Sequence, residues 1–398
     1  MKNCAICNCN DVHLLLDLGN QPVTNRFLQN AGDHENSYPL TVGSCRSCGL
    51  VQLIASPAAD ELTPIYDWIS YNEPESHLDS LVDAIRLLPG ITPEISRITG
   101  LSYKDDTTLN RFEVHGFEFT KRINARTDLE VNKENAGIEL IQGAITEEVA
   151  KHIVKRLGLT DILIVRHILE HTVAPSAFLA GLKELVTDKG YIVLEVPDCE
   201  KAFRNLDYTT IWEEHRLYFT QESFLQCLHL NGLQLHSFHE YKYPFENSLV
   251  AIVQVAPLQT LPSPFSTSVA DTFGANFVSR KGLLQNYFTK VKQQGNKIAI
   301  YGAGHLACAY LNYFDLGDVI DIIVDDNVHK QGLYMPGSKI PILHPSALLE
   351  QGVKLCLLAL IPELEPKIVA RHDGYAKTGG VFASIFPGSP LAVALPVS

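Results

Sequence analysis

Asp161-Ile162-Leu163-Ile164-Val165, the polar run Arg166-His167-Ile168-Leu169-Glu170-His171, an amphipathic segment from Pro175 to Val186, and Tyr191-Ile192-Val193-Leu194-Glu195-Val196 read in order as strand, loop, helix and strand. The helical segment sets Phe178, Leu182, Leu185 and Val186 on one face and ends near Gly190. Alternation of this kind predicts a parallel sheet with right-handed crossovers, and in such a sheet ligands sit at the carboxyl ends of the strands. Upstream the pattern continues. Ile95 to Ser102 reads as a first strand, Tyr103 to Thr107 as a loop, and Thr108 to Val114 as a helix stopped near Gly116. A second strand is expected near Phe117 to Ile123, a further one at Ile138 to Ile145, and a helix at Glu147 to Leu157.

Composition bounds the possibilities. The chain has 398 residues, 46% hydrophobic and 19% charged, enough to bury the cores of two or three domains. A formal net charge of −13 without a lysine or arginine cluster argues against nucleic acid or an anionic membrane as the partner. No apolar run approaches the ~18 residues of a membrane span, and Met1-Lys2-Asn3-Cys4 does not open a secretory signal, so a cytoplasmic protein is expected.

The nine cysteines are too few for a disulfide scaffold. Four of them form two knuckles, Cys4-x-x-Cys7 and Cys45-x-x-Cys48, with Cys9 left over. Four thiolates suit tetrahedral zinc and fill its coordination sphere, so the ion is expected to be structural. It would hold together Leu14 to Leu53, which has little core of its own. Between the knuckles, Asp17 to Phe27 is a turn-rich loop whose polar groups either face a ligand or lie on the surface. Ile65 to Glu75 then packs aromatics and acids ahead of a helix from about Ser76 to Leu88, and it covers a domain junction or forms a lid.

The strand ends carry the polar groups. His167-x-x-Glu170-His171 matches an inverted zinc-protease motif but leaves a strand, where that motif needs a helix. Beyond Pro197-Asp198 comes Asp207-Tyr-Thr-Thr-Ile-Trp212-Glu213-Glu214-His215-Arg-Leu-Tyr218-Phe219. A carboxylate beside an imidazole can fix its tautomer and raise its basicity, which suits a general base. Ala256 to Phe273, rich in Pro, Ser and Thr, breaks all periodicity and reads as a linker before a helix from Val278 to Lys292. The strand Lys297 to Tyr301 then opens Gly302-Ala303-Gly304, and Asp325 ends the strand Ile320 to Val324, a dinucleotide-type pattern that taken alone points to NAD.

The order of these parts resembles the zinc-containing, three-domain, S-adenosylmethionine-dependent C-methyltransferases that act on nucleotide-linked keto-deoxysugars. The resemblance rests on the paired knuckles with Leu18-Gly19-x-x-Pro22 between them, His171, Glu214-His215 with Tyr218-Phe219, Tyr301-Gly302-Ala303, Leu311-Asn312, Asp325-Asp326 and Lys330-Gln331-Gly332-x-Tyr334-Met335-Pro336-Gly337. It implies an α/β fold with a small N-terminal zinc-binding module, a central class I methyltransferase-like doubly wound sheet and a C-terminal Rossmann-like domain that holds nucleotide-sugar and not NAD. The expected divisions are 1–65, 66–255, a linker and helix over 256–296, and 297–398.

Carried over by position, the resemblance makes His215 the base, Glu214 its neighbouring acid, His171 a second active-site histidine and Tyr66 a lid tyrosine. Gly100, Ser102, Asp105 and His167 would line the cofactor site. Trp212, Asn247, Ser248, Tyr301, Gly302 and Gly304 would line the substrate site, with zinc on Cys4, Cys7, Cys45 and Cys48. Two departures stand out. Trp212 replaces the family's tyrosine and cannot act as a phenolic acid. The loop after Gly100 lacks the family's acid and paired glycines, and Arg122, Asn124 and Arg126 stand near the end of the second strand where an acid is expected. The expected chemistry is proton removal beside a sugar ketone followed by methyl transfer. An epimerase or isomerase that lost the methyl donor, a nucleotide-sugar binding protein and an NAD oxidoreductase are the alternatives.

Overall fold

The strands of the N-terminal module are β1 (Val12–Pro22), β2 (Ser37–Cys45) and β3 (Val51–Ala55), paired antiparallel in that order. This computed structural model describes residues 3–63, 65–66, 68–69, 73–131, 137–257 and 267–395. Asp67, Ser70, Tyr71 and Asn72 of the expected lid, and 258–266 of the expected linker, lie outside the described residues. The zinc module does have little core of its own. Leu16, Leu18, Phe27, Leu40 and Val42 bury in one cluster with Phe203, Tyr208, Phe273 and Phe277, which come from later parts of the chain.

The middle of the chain supplies β4 (Arg97–Gly100), β5 (Phe119–Arg122), β6 (Thr160–Arg166), β7 (Val186–Asp198), β8 (Leu217–Tyr218), β9 (Leu233–Tyr241) and β10 (Asn247–Val255). Six of these form one sheet in the order β5-β4-β6-β7-β10-β9, in which β5, β4, β6 and β7 are parallel and β10 runs antiparallel between β7 and β9. Period-two alternation of apolar side chains clothes both faces. Ile162, Ile164 and Val193 pack with Leu78, Leu81, Val82, Ile85 and Phe112, while Leu163, Val165 and Leu194 pack with Ile153, Phe178 and Leu182. The strand expected at Ile138 to Ile145 is instead the helix Ile138–Ala144. Ile138 and Ile141 are buried three apart and Ile145 four further on, a helical spacing that a short apolar run does not separate from a strand's.

The eighth strand leaves this sheet altogether and pairs antiparallel with β3, Val51 opposite Tyr218 and Gln52 opposite Leu217. The C-terminal part contains β11 (Lys297–Tyr301), β12 (Ile322–Val324), β13 (Ile342–Leu343), β14 (Val353–Leu358) and β15 (Val381–Ser384), all parallel, ordered β13-β12-β11-β14-β15. The chain reverses direction across this sheet at β11, so the carboxyl end of β11 with Gly302 is the switch point where a doubly wound sheet opens its crevice. Among the described residues no helix is long and apolar enough to cross a membrane.

Candidate active site

The two knuckles close on each other. Each cysteine pair is followed by a residue with positive φ, Asn8 at 56° and Gly49 at 72°, and Asn8 N and Gly49 N donate to Cys4 O and Cys45 O at 3.0 and 2.9 Å. The turn that results aims two sulfurs the same way. Cys4 and Cys48 Sγ lie 3.4 Å apart, Cys7 and Cys45 Sγ 3.6 Å, and all four within 4.8 Å of one another. A tetrahedral zinc with Zn–S near 2.3 Å separates its sulfurs by ~3.8 Å, so these residues fit the ion. Cys9 Sγ stands 3.3 Å from Cys45 Sγ, beside the cluster.

The zinc module also reaches into the chemistry. Thr24, between β1 and β2, donates to Glu213 Oε1 through its N–H (2.6 Å) and hydroxyl (2.8 Å), and its hydroxyl accepts from Trp212 Nε1 at 3.1 Å. Asn25 Nδ2 donates to Glu214 Oε1 at 3.1 Å. From the other side, Arg216 N donates to Glu170 O at 2.7 Å, and Leu53 N to Arg216 O at 2.9 Å. The loop bearing His215 is thus stitched between the carboxyl end of β6 and the zinc-module sheet.

Within that frame His171 and His215 meet, ring centroids 4.7 Å apart at 84°. The His171 Nδ1 lies 3.1 Å from Glu139 Oε1. Neither ring nitrogen of His215 has a hydrogen-bond partner among the described residues, so its lone pair is available. Burial, with His171 alongside, holds His215 neutral by keeping its pKa well below the ordinary value. Glu214 goes the opposite way: burial first, then the charges of Glu139 and Glu213, push its carboxyl well above the usual range. The same buried setting therefore shifts the two groups in opposite directions, the imidazole toward its neutral form and the carboxyl toward its protonated form.

Trp212 lies 5.0 Å from the His215 ring and stacks on His305 at 4.4 Å and 20°. His305 is the first residue of the helix His305–Tyr313, which follows Gly302-Ala303-Gly304. This stack brings the C-terminal glycine turn to the base. Gly302 has φ +102° and a Cβ there would stand 2.8 Å from Ala359 O, so the turn needs glycine. Asp325, which an NAD site would turn toward ribose, instead accepts from Ala303 N (2.7 Å) and Asn327 N (2.8 Å), with Lys330 Nζ 3.2 Å away.

Several expected site residues are engaged elsewhere. The Tyr66 hydroxyl donates to Phe27 O at 3.2 Å and its ring lies against Trp68 (4.7 Å), so it does not bond to either active-site imidazole. Glu214 bonds to Asn25 and, among the described residues, makes no hydrogen bond to His215. Ser248 Oγ donates to Glu195 Oε1 at 2.5 Å in the interior. Asn247 binds Asp198 (3.3 Å) and Glu240 (2.8 Å) at the wall of a separate cavity of about 400 Å³. Tyr301 turns its hydroxyl to His372 (3.0 Å) inside the C-terminal domain. The two histidines of the protease-like motif diverge: His167 contacts Glu170 (3.3 Å) and Glu195 (3.2 Å), whereas His171 faces Glu139. Glu139 and His305 carried no sequence signal for this site, arriving from a segment read as strand and from the glycine-turn helix, whereas Thr24 and Asn25 belong to the Asp17 to Phe27 loop whose polar groups the sequence left as ligand-facing or surface.

Family models match three consecutive stretches: "Putative zinc binding domain" over 4–62, "Methyltransferase domain" over 103–237 and "C-methyltransferase C-terminal domain" over 266–387. The chain is therefore a mixed α/β protein with the three-part organisation of the zinc-containing C-methyltransferases, which it resembles over nearly its full length. The C-methyltransferase NovU of Streptomyces niveus is 25% identical over 405 residues, covering 97% of this chain and 96% of that one. Solved structures with likeness to the middle of the chain include a 1,6-didemethyltoxoflavin-N1-methyltransferase from Burkholderia thailandensis (12% identity, 46% of this chain and 78% of that chain, TM-score 0.30). A SAM-dependent methyltransferase from Anabaena variabilis (16%, 46% and 86%, TM-score 0.33) is another.

A methyltransferase domain implies S-adenosylmethionine, and in the loop assigned to it the polar groups also bond to the chain itself. Asp105 folds back under Gly100, where a Cβ would meet the Asp105 Cβ at 2.8 Å, and accepts from Ser102 N (2.8 Å) and Arg166 N (3.0 Å). Ser102 Oγ caps the same turn through Lys104 N at 3.2 Å. At the end of β5, where ribose hydroxyls need an acceptor, Arg122 pairs with Asp106. Gly100, Ser102, Asp105 and His167, all expected to hold the cofactor, are bonded to the protein itself.

Proposed function

We propose that this C-methyltransferase-like chain acts on a nucleotide-activated 4-keto-6-deoxy sugar, with His215 removing the proton from the carbon next to the ketone. The observation that carries the reading is the neutral imidazole of His215, without a hydrogen-bond partner among the described residues, set 4.7 Å from His171 and joined to the C-terminal glycine turn through Trp212 and His305. A base must be deprotonated and free at its lone pair to take a proton. The C–H electron pair moves into an enolate, whose oxygen needs donors near it; His171 and Glu214, whose carboxyl is pushed toward its protonated form by burial, are the nearest proton carriers. The helix N-terminus that follows Gly304 presents backbone N–H groups suited to a diphosphate, while Gly302 N and Ala303 N donate to Val324 O and Asp325, and this end supports a nucleotide-linked substrate. Similarity to NovU and the match to methyltransferase models support methyl transfer to that carbon as the step that follows.

The test is exchange in deuterated water with thymidine diphosphate-4-keto-6-deoxyglucose, read by NMR without any methyl donor. Deuterium should enter beside the ketone. His215→Asn should slow entry by about a hundred- to ten-thousand-fold, the usual range for a general base. Glu214→Gln should slow it less, because it leaves the imidazole in place. Undiminished exchange in His215→Asn would move the base to His171.

A further inference from the structure

Beside the base, three buried donors from separate parts of the chain converge. Glu139, on the helix Ile138–Ala144, His171, after β6, and Glu214, on the loop before β8, are 6%, 6% and 4% exposed. One carboxylate oxygen from each glutamate and a ring nitrogen of His171 all lie within 4.8 Å of one another. His171 Nδ1 stands 3.1 Å from Glu139 Oε1 yet makes no hydrogen bond, so a buried nitrogen is left without a partner beside two carboxylates. Glu214 Oε1 accepts from Asn25, and its second oxygen takes no hydrogen bond among the described residues.

The charges at this point do not balance. Among the described residues Glu139 has one ion-pair partner, His171, and Glu214 has none. Lys104 and Arg26 act on Glu214 only from a distance. Lys104 is committed to Glu73 at 2.6 Å, and Arg26 to Asn25 Oδ1 and the carbonyls of Glu61 and Thr63 at 2.6 to 2.7 Å. The next acid, Glu213, is held by Thr24. Two buried carboxylates with one imidazole beside them need a proton or a further cation. Around a divalent ion with bonds of about 2.1 Å, cis donors lie ~3.0 Å apart and trans donors ~4.2 Å, so these three close on an ion with shifts below ~1 Å.

We propose that Glu139, His171 and Glu214 form a second metal site, separate from the four cysteines, that takes one divalent cation of the Mn²⁺ kind. Two carboxylates and an imidazole suit such an ion, whereas the thiolate cluster suits zinc. Three protein ligands leave coordination positions open for substrate, and His215 lies next to His171. The site stands on its own geometry, while its part in the chemistry rests on the reading of His215 as the base. The ketone oxygen takes an open position, the C–H proton passes to His215, and the C–H electron pair moves into an enolate whose oxyanion the ion neutralises. Glu170, His171 and His215 are the competing donor set, and Glu170 Oε2 also lacks a hydrogen bond, but an ion there occupies the lone pair that the base needs.

The experiment uses the zinc-loaded full chain with Mn²⁺ alone as the probe. Electron paramagnetic resonance should show one Mn²⁺ bound per chain below ~1 mM, and the bound ion should broaden the imidazole NMR signals of His171 and His215 in the wild-type protein, a readout independent of any variant's folding. Glu139→Gln should weaken binding by more than the about 10- to 100-fold that loss of a residue merely supporting a ligand costs, with folding checked by melting temperature, and His215→Asn should leave binding in place. Mn²⁺ should speed deuterium exchange into the keto-sugar nucleotide by at least ~10-fold. No binding by ~1 mM overturns the site, as does binding that survives Glu139→Gln and leaves the His215 signals sharp, which marks surface acids instead. Binding lost in His215→Asn and kept in Glu139→Gln moves the ion to the competing set and overturns the assignment. Binding at the site with exchange unmoved by Mn²⁺ overturns the Lewis-acid step alone. Binding at the site with no exchange, with or without Mn²⁺, overturns the proton abstraction by His215 and leaves the metal site standing.

Discussion

Two histidines only four residues apart, His167 and His171, show how the surroundings of a side chain decide its task. His171 opens toward His215, whereas His167 is enclosed by carboxylates and held as imidazolium. Because the folded pKa of His167 is raised above its ordinary 6.5, its contribution to stability is fully present below pH 6.5 and is lost as pH climbs toward about 10. Melting temperature should accordingly fall between pH 6.5 and 10, and His167→Gln should flatten that slope. The substitution should also cost on the order of 3–5 kcal/mol near neutrality, since Glu195 and Glu170 lose a buried partner. A chemical-denaturation series across pH reads both, and an unchanged slope in the variant would place the charge elsewhere. At this scale the sequence showed Glu214-His215 and His171 as chemistry-bearing groups, because acid beside imidazole is visible in one dimension. It could not show that Glu214 turns to Asn25, or that Ser248 is spent on Glu195, because both partners are distant in the chain and near only after folding.

Among the elements, glycine turns and knuckles were legible and the paired antiparallel strands were not. Positive-φ positions favour glycine, so Gly49, Gly302 and Gly337 announce their turns in the sequence. Gly337, at φ +75°, packs where a Cβ would come within 2.4 Å of the Asn312 amide, and that amide donates to Pro336 O at 3.1 Å. This contact ties Asn312 to the Pro336-Gly337 turn. Gly302→Ala should cost about 1–3 kcal/mol of folding stability through strain and the clash with Ala359 O. It should also raise the KM of deuterium exchange more than it lowers kcat, because the turn binds and the base does not move. Equal losses in both would argue that the turn also positions Trp212. β9 escaped prediction because it is an edge strand with mostly exposed and half-buried side chains, and β10 because burial on both faces erases its alternation; Ile138–Ala144 was misread because a short apolar run carries no reliable period.

For the whole molecule the zinc module is the clamp. Beyond the pairing of β3 with β8, Leu28 and Tyr334 exchange backbone hydrogen bonds at 3.0 and 2.9 Å, and Gly337 N donates to Glu35 Oε2 at 2.9 Å, so the module grips both larger parts. Cys4→Ser or Cys45→Ser should therefore lower zinc content, melting temperature and deuterium exchange together, and a chelator should do the same to the wild-type chain. Zinc loss with an unchanged melting temperature but lost exchange would show the ion to be part of the chemistry.

The sequence by itself determined the parts: two thiolate knuckles, a strand–helix alternation, a glycine turn and an acid–histidine pair, each local enough to be written in neighbouring residues. Only the tertiary structure decided how they serve one another. The zinc module supplies Thr24 and Asn25 to Glu213 and Glu214, the C-terminal helix supplies His305 to Trp212, and the ends of β4, β6 and β7 fill with the protein's own ions. Buried charges must find partners wherever the fold puts them, and which carboxylate meets which cation depends on sheet order and side-chain reach that no single stretch of the chain contains.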